Sequence, residues 1–282
     1  MKRISSYVLL LPILFLIILT PVYVSASTIG FWNFEEGVSG QTATGAGSIL
    51  DVSGNNNNGT PIGDPIYYAT NLPNSSLGLK LNGETSRVYI PDNPAFQLTN
   101  SFTLEAYIRI DQMTFPSGFH DIIVSRDTGV LNIDPYVLTL WSNGEIVFGI
   151  SDDTAAYAHL RSGQTVPMGQ YIHIAGTFNN GEMKLYFDGV LIGSMFTALV
   201  PATTAPNPVF TPGIGIGNVS EPIVYNHSFN GVIDDVRISD VALDPSQFLL
   251  NSPAPVPEPS TMLLLGSGLA GLVGYGRRRF KR

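Results

Sequence analysis

Cysteine is absent from the 282-residue chain, and histidine occurs only four times. The lack of cysteine excludes a disulfide framework, thiolate catalysis and cysteine zinc sites, so stability has to come from a packed core. The histidines, His120, His159, His173 and His227, are scattered, and no His-Glu-x-x-His or Gly-x-Ser-x-Gly string occurs. His173 alternates with Tyr171 and Ala175 and reads as a sheet residue. Positive charge is also scarce where it would matter. Seven of the 14 basic residues lie in the two ends, against one of the 22 acidic ones, so the body carries 21 acidic and seven basic residues. A body with a net charge of −14 is not built for nucleic acid, whose phosphates need the opposite sign. It does offer oxygen ligands to hard cations. Within the body no apolar period of 3.6 residues is sustained, which excludes a helical core.

Long apolar runs occur only at the ends. Lys2 and Arg3 precede the run Val8–Leu19, broken by Pro12, and Val24-Ser25-Ala26 offers small residues before a cleavage point. Residues 1–26 therefore read as a signal peptide cut between Ala26 and Ser27, with an uncleaved anchor as the alternative. At the other end Pro253, Pro255, Pro257 and Pro259 make residues 251–261 an extended spacer. An apolar run follows at 262–276, then a cluster of five basic residues within 277–282. As a helix of about 15 residues the run would reach roughly 22 Å, a marginal transmembrane helix against a hydrocarbon core of about 30 Å. The basic end is held on the cytoplasmic side, which puts the body outside. Gly266-Ser-Gly-Leu-Ala-Gly271 has the spacing of a dinucleotide loop but lies in this apolar run, so it reads as membrane packing. Pro257-Glu258-Pro259, the apolar run and the basic end occur in an order that resembles the PEP-CTERM sorting signal. That resemblance implies that exosortase, a membrane enzyme of Gram-negative bacteria, removes the tail after a transient inner-membrane stage and releases the body to the cell surface or matrix. A plain tail anchor is the alternative.

Between the ends, residues 27–250 are long enough for a single all-β domain. Ser101 to Ile110 alternates fully, with Phe102, Leu104, Ala106, Ile108 and Ile110 on one face. Asn82-Gly83, Asn143-Gly144, Asn179-Asn-Gly181 and Asp188-Gly189 stand between alternating runs and predict hairpins, because type I′ turns need positive φ at both central residues. Two segments, Gly37–Gly59 and Leu199–Pro212, read as a surface loop and a long rim connection. Short helical turns are expected near Pro94–Gln97 and Pro245–Leu250. Many short strands with hairpin turns predict an antiparallel β-sandwich.

The body also carries a family resemblance. Phe31-Trp-Asn-Phe-Glu-Glu36, Asp51-Val-Ser-Gly-Asn55, Phe102-Thr-Leu-Glu-Ala-Tyr107, Tyr171–Phe178, Met183–Gly189 and Phe229–Ile238 follow in an order similar to LamG-like domains of the concanavalin A-like lectin/glucanase superfamily. The resemblance implies a jelly roll whose first and last strands lie side by side. Strict alternation in the last strand puts Val232, Asp234 and Val236 on one face and Ile233, Asp235 and Arg237 on the other, so one aspartate must point into an apolar face. By resemblance, one structural Ca²⁺ is expected there, with Asp51 and Asp234 as side-chain ligands, Gly54 or Asn55 giving carbonyl oxygen and Glu35 as a further ligand. The plainer alternative pairs Asp234 or Asp235 with Arg237 and leaves Asp51 to cap a turn.

Function follows from the same comparison. Glucanases of this fold use a Glu-x-Asp-x-x-Glu strand to set carboxylates around a sugar bond, and no such string occurs here. Asp121 and Asp127, six apart, share one strand face by strict alternation and read as flanking a solvated strand. The expectation is a non-catalytic, exported domain that binds polysaccharide or a surface protein, with Trp141, beside the Ser142-Asn143-Gly144 turn, as the candidate sugar platform. A glycan-active hydrolase or lyase is the alternative.

Overall fold

The computed structural model describes residues 27–113, 120–219 and 227–250. Ala26, the spacer, the Pro257-Glu258-Pro259 motif, the apolar run 262–276 and the basic end lie outside the described residues. Among the described residues no helix is long and apolar enough to cross a membrane.

Two antiparallel sheets form a sandwich, as the alternation predicts. The first contains β1 (Thr28–Trp32), β3 (Ile66–Leu72), β4 (Ser75–Asn82), β6 (Ser101–Ile110), β11 (Tyr171–Asn179), β12 (Glu182–Phe187), β13 (Val190–Phe196) and β15 (Asn230–Ser239). The second contains β2 (Thr60–Ile62), β5 (Arg87–Pro91), β7 (His120–Asp127), β8 (Tyr136–Trp141), β9 (Glu145–Ser151), β10 (Tyr157–Thr165) and β14 (Gly213–Ile216). Their orders are β13-β12-β11-β6-β15-β4-β3, with β1 also paired to β15, and β10-β9-β8-β7-β14-β5-β2. Single turns of 3₁₀ helix occur at Pro94–Phe96 and Pro245–Gln247, within the two segments expected to turn helically. The first and last strands do lie side by side, Trp32 opposite Val236 and Thr28 opposite Ser239.

The inner faces meet through aromatic side chains. Phe102 of β6 stands 5.1 Å from Tyr136, 5.4 Å from Phe178 and 5.9 Å from Phe148, ring centre to ring centre. Trp32 is fully buried and satisfies its indole N–H at the Asn57 carbonyl, 2.9 Å away.

Turn chemistry explains which strand pairs close. Asn180-Gly181 and Asp188-Gly189 have positive φ at both residues and join β11–β12 and β12–β13, as predicted. Asn143-Gly144 joins β8 and β9, but only Gly144 has positive φ. Asn82-Gly83 does not make a hairpin. Its flanking strands β4 and β5 belong to different sheets. Only Gly83 has positive φ, and the Asn82 Oδ1 accepts the amides of Glu84, Thr85 and Ser86 at 2.9–3.0 Å. The side chain thus folds the chain into an arch that carries it from one sheet to the other.

Gly176 of β11 lies directly under the Phe148 ring, and a Cβ there would come within 2.6 Å of it. Gly176→Ala is expected to destabilise the domain by about 1–3 kcal/mol through overpacking. The urea midpoint checks this, and an unchanged midpoint would mean that the sheets separate without strain.

Candidate functional site

Strand β15 changes partner halfway along. One side is covered by β6; on the other, β4 pairs with Asn230–Ile233 and β1 with Val236–Ser239. Asp234 and Asp235 sit in the fork between β4 and β1. Asp235 has φ 49°, and the register against β6 shifts between Asp234 and Arg237. This is a β-bulge, a place where an aspartate tolerates left-handed backbone better than most residues. The bulge corrects the expected alternation. Ile233, Val236 and Ile238 all join the core, so Asp234 and Asp235 both leave it on the outer face with Arg237.

That outer face is nonetheless closed. Asp234 is 0% and Asp235 6% exposed. Asp234 Oδ1 accepts the Asp235 amide at 2.8 Å, while its Oδ2 is buried with no hydrogen-bond partner. The neighbouring Ser75 hydroxyl is committed to Glu35 Oε1 (2.9 Å) and the Leu77 carbonyl (2.8 Å). Burial first, and then the Asp235 charge, push the Asp234 carboxyl well above the ordinary aspartate range. Burial, then the Glu35 and Glu105 charges, push Asp235 up as well. Glu35, in the turn after β1, reaches across the fork. Its carboxylate accepts the Ser76 amide (2.6 Å), the Leu77 amide (2.9 Å) and the Ser75 and Ser76 hydroxyls. These donors outweigh the effect of desolvation and hold the Glu35 carboxyl below its usual range.

Beside the fork lies a buried ionic group that the sequence reasoning missed. Glu105 of β6 is fully buried; its Oε2 meets His173 Nε2 and the Leu249 amide, each at 2.9 Å, and its Oε1 accepts from Arg237 Nε at 2.6 Å. Arg237 also donates to the Gln247 carbonyl at 2.8 Å. Phe248 packs on His173 and Tyr186, with ring centres 5.7 Å and 5.1 Å apart. The alternation of Phe102 to Ile110 did place Glu105 opposite the apolar positions. What it could not show is the C-terminal segment folding back over that face.

The residues expected to share a calcium ion do not come together. Asp51 accepts the amides of Phe31 (3.0 Å), Ser53 (2.9 Å) and Asn57 (2.9 Å), which uses both its oxygens. Asn55 turns its side-chain amide to the Thr28 carbonyl at 2.7 Å. Gly54, with φ 90°, supplies a turn in open space. The polar loop is thereby stitched to β1, while Asp234 and Glu35 meet at the fork. Among the described residues no group of three or more His, Asp or Glu is disposed to hold a metal ion. Of the expected carboxylate ligands, Asp234 keeps a buried oxygen without a hydrogen-bond partner.

Asp121 and Asp127 do not share a face either. A register shift between Ile122 and Val124 breaks their phase, so Asp121 pairs opposite core Leu140 while Arg126, not Asp127, lies opposite core Tyr136. Both aspartates are buried rather than solvated. Trp141 is half-buried, with the Arg161 guanidinium 4.2 Å above its ring. Arg161 is held there by Glu145, Nε to Oε2 2.6 Å. The exposed ring of this patch is Tyr157, 63% exposed, which stacks on His159 at 5.1 Å with 16° between planes.

Residues 82–247 match the laminin-G type of the concanavalin A-like lectin/glucanases superfamily. The chain belongs to that superfamily. Residues 255–279 match the PEP-CTERM protein-sorting motif, which indicates export to the cell surface through a transient membrane anchor and implies processing by exosortase. No curated protein matches. Among solved structures the superfamily domain resembles domain 4 of AbnA, a GH43 extracellular arabinanase from Geobacillus stearothermophilus, in complex with arabinotriose. Identity is 21% and the TM-score 0.57, over 80% of this chain and 97% of that one. It also resembles the binding domain of botulinum neurotoxin serotype D (18%, TM-score 0.54, 80% of this chain and 50% of that one). A Trypanosoma rangeli sialidase is similar over 80% of this chain and 34% of its own (17%, TM-score 0.51). At these identities the likeness is one of fold.

Two outcomes follow from the superfamily domain's carboxylates. Asp51→Ala leaves two loop amides and the Phe31 amide of β1 without an acceptor and is expected to lower stability by about 1–3 kcal/mol, read by urea unfolding; no loss would show that water replaces the carboxylate. Asp234 and Asp235 have folded pKa values raised above their unfolded ones. Their contribution is fully present below the ordinary aspartate range and is lost as pH rises through neutrality into mildly alkaline conditions. In chelator, the melting temperature is expected to fall over that window and to fall less in Asp234→Asn. Equal slopes in both proteins would contradict the assignment.

Proposed function

We propose that the exported domain is a binding module that holds polysaccharide at the cell surface or in the extracellular matrix of a Gram-negative bacterium, without cutting it. The observation that carries this reading is the state of the carboxylates. Glu105, Asp234, Asp235, Asp121 and Asp127 are all at most 7% exposed, and Glu35 is committed to four donors on β4. Glycoside cleavage needs a pair of carboxyl groups flanking an accessible bond. The five buried carboxyls are out of reach of a sugar bond, which supports binding instead. A platform for a sugar is offered by exposed Tyr157 stacked on His159, next to Trp141 and its Arg161 cover. Stacking of this kind suits the apolar face of a sugar ring. The arabinanase domain solved with arabinotriose adds weight to a glycan over a surface protein as the partner.

Calcium enters the reading at the fork rather than at the loop. Asp234 is the expected ligand whose buried oxygen lacks a partner, and a divalent cation there would replace the protons that burial otherwise forces onto the pair.

The test uses the full chain in detergent, mixed with exopolysaccharide of the producing cell, with calcium or with chelator. Bound protein and polysaccharide chain length are both read. Binding without shortening is expected, weakened by chelator and weakened roughly 3- to 10-fold by Tyr157→Ala. Shortened chains would overturn the reading in favour of an enzyme. Binding unaffected by chelator would remove calcium from it, and no binding at all would shift the search to a protein partner.

A further inference from the structure

One end of the sandwich is closed by an ion pair that the fork and the aromatic patch do not use. Arg126 lies opposite Tyr136, at the inward-facing end of β7, and is 3% exposed. It grips Asp92 with two bonds, Nε to Oδ1 at 2.9 Å and Nη2 to Oδ2 at 3.1 Å. Its third nitrogen, Nη1, is buried with no hydrogen-bond partner. A buried guanidinium nitrogen left unpaired is unfavourable, because desolvation removes its water without replacing it.

The same arginine lines a pocket of about 380 Å³ formed with Asp92, Asn93, Gln97, Thr203 and Thr204, and floored in part by proline and alanine. That volume falls in the range of about 300–1,000 Å³ typical of small-molecule sites. The pocket's outer wall is fastened in place. Asp153, in the turn between β9 and β10, accepts the amides of Thr203 (2.7 Å) and Thr204 (2.6 Å) and both their hydroxyls. Gln97 donates to the Thr203 carbonyl at 3.3 Å. Tyr157 leaves that same turn as the first residue of β10, so pocket and aromatic patch are tied to one segment.

We propose that this pocket seats a neutral sugar unit, a proposal that rests on the glycan-binding reading above. A sugar hydroxyl both donates and accepts. The Gln97 side-chain amide offers both a donor and an acceptor, and the carboxylate of Asp92 and the threonine hydroxyl oxygens accept. Pro94, Ala205 and Pro206 give apolar surface to the C–H face of a ring. The choice of neutral over acidic sugar follows from charge. Asp92 already neutralises Arg126, no other cation among the described residues lines the pocket, and the body carries a net charge of −14. A uronate would meet an uncompensated negative field.

The full chain in detergent is titrated against two sets of immobilised oligosaccharides, neutral (arabinan, glucan, xylan and galactan fragments) and uronate-bearing (polygalacturonate and alginate fragments). Ala205→Trp fills the pocket from the exposed connection, and Gln97→Ala removes one polar group without touching the core. A neutral oligosaccharide is expected to bind the parent chain, at least about ten-fold more weakly to Ala205→Trp and less weakened by Gln97→Ala, with melting temperature unchanged in both. Neutral binding that Tyr157→Ala weakens but Ala205→Trp leaves intact would overturn the pocket while the glycan reading stands. Preference for the uronate set would overturn the choice of sugar class. Binding of neither set would remove the pocket's ligand and the glycan reading together.

Discussion

Strand β15 carries the arrangement of the domain because it has to satisfy three partners at once. β6 runs along one side of it, and β4 and β1 divide the other. A straight strand cannot serve two partners that diverge, and the bulge at Asp235 supplies the bend. The bulge has a second effect that matters more. It lets the apolar residues on both sides of it, Ile233 and Val236, stay in the core although they are an odd number of residues apart. The two aspartates are the residues displaced, and Glu35, from the turn after β1, reaches across the fork they occupy. The fold's closure and its pair of adjacent buried carboxyls are thus one feature, seen once as backbone geometry and once as electrostatics.

This explains which parts could be read from the sequence. Alternation in β6 and β11 and the Asn180-Gly181 and Asp188-Gly189 turns depend on neighbours in the chain, and they were legible. Asn82-Gly83 was misread as a hairpin because a single positive φ at glycine serves an arch as well as a type I′ turn; what decides is the set of three amides gathered by the Asn82 side chain. Period-two reasoning failed at Asp234-Asp235 and again at Asp121–Asp127, in both cases because a register shift breaks the phase. Asp51 sits in a segment with the composition of a ligand loop, yet its oxygens are taken up by two of the loop's own amides and the Phe31 amide of β1. The Arg126–Asp92 pair joins residues 34 apart, one on β7 and one just after β5, and no local pattern marks it.

Acidity has a different meaning in different parts of the molecule. At the surface it keeps an exported body soluble and turns polyanions away. Inside, each carboxylate is matched to a particular set of partners: Glu105 to a histidine, an arginine and an amide, Asp92 to one arginine, Glu35 to amides and hydroxyls. Asp234 keeps one buried oxygen without a partner. A reactive carboxyl has to be accessible as well as perturbed, and the perturbed pair here is not. The same perturbation that would mark an active site in an open cleft marks, in a sealed fork, a point where protons or a cation hold the strands together.

The buried ionic group around Glu105 bears on how the exported body is parted from its sorting signal. Arg237 holds the Gln247 carbonyl, Glu105 holds the Leu249 amide, and Phe248 fills the gap between His173 and Tyr186. The last described turn is therefore part of the outer face of the eight-stranded sheet, secured by side chains from β6, β11, β12 and β15. The matched sorting motif begins at residue 255, beyond this fastening. Every one of these contacts is made before that point. Since opening the segment would leave buried Glu105 with one fewer donor, the fold resists fraying at this last described turn.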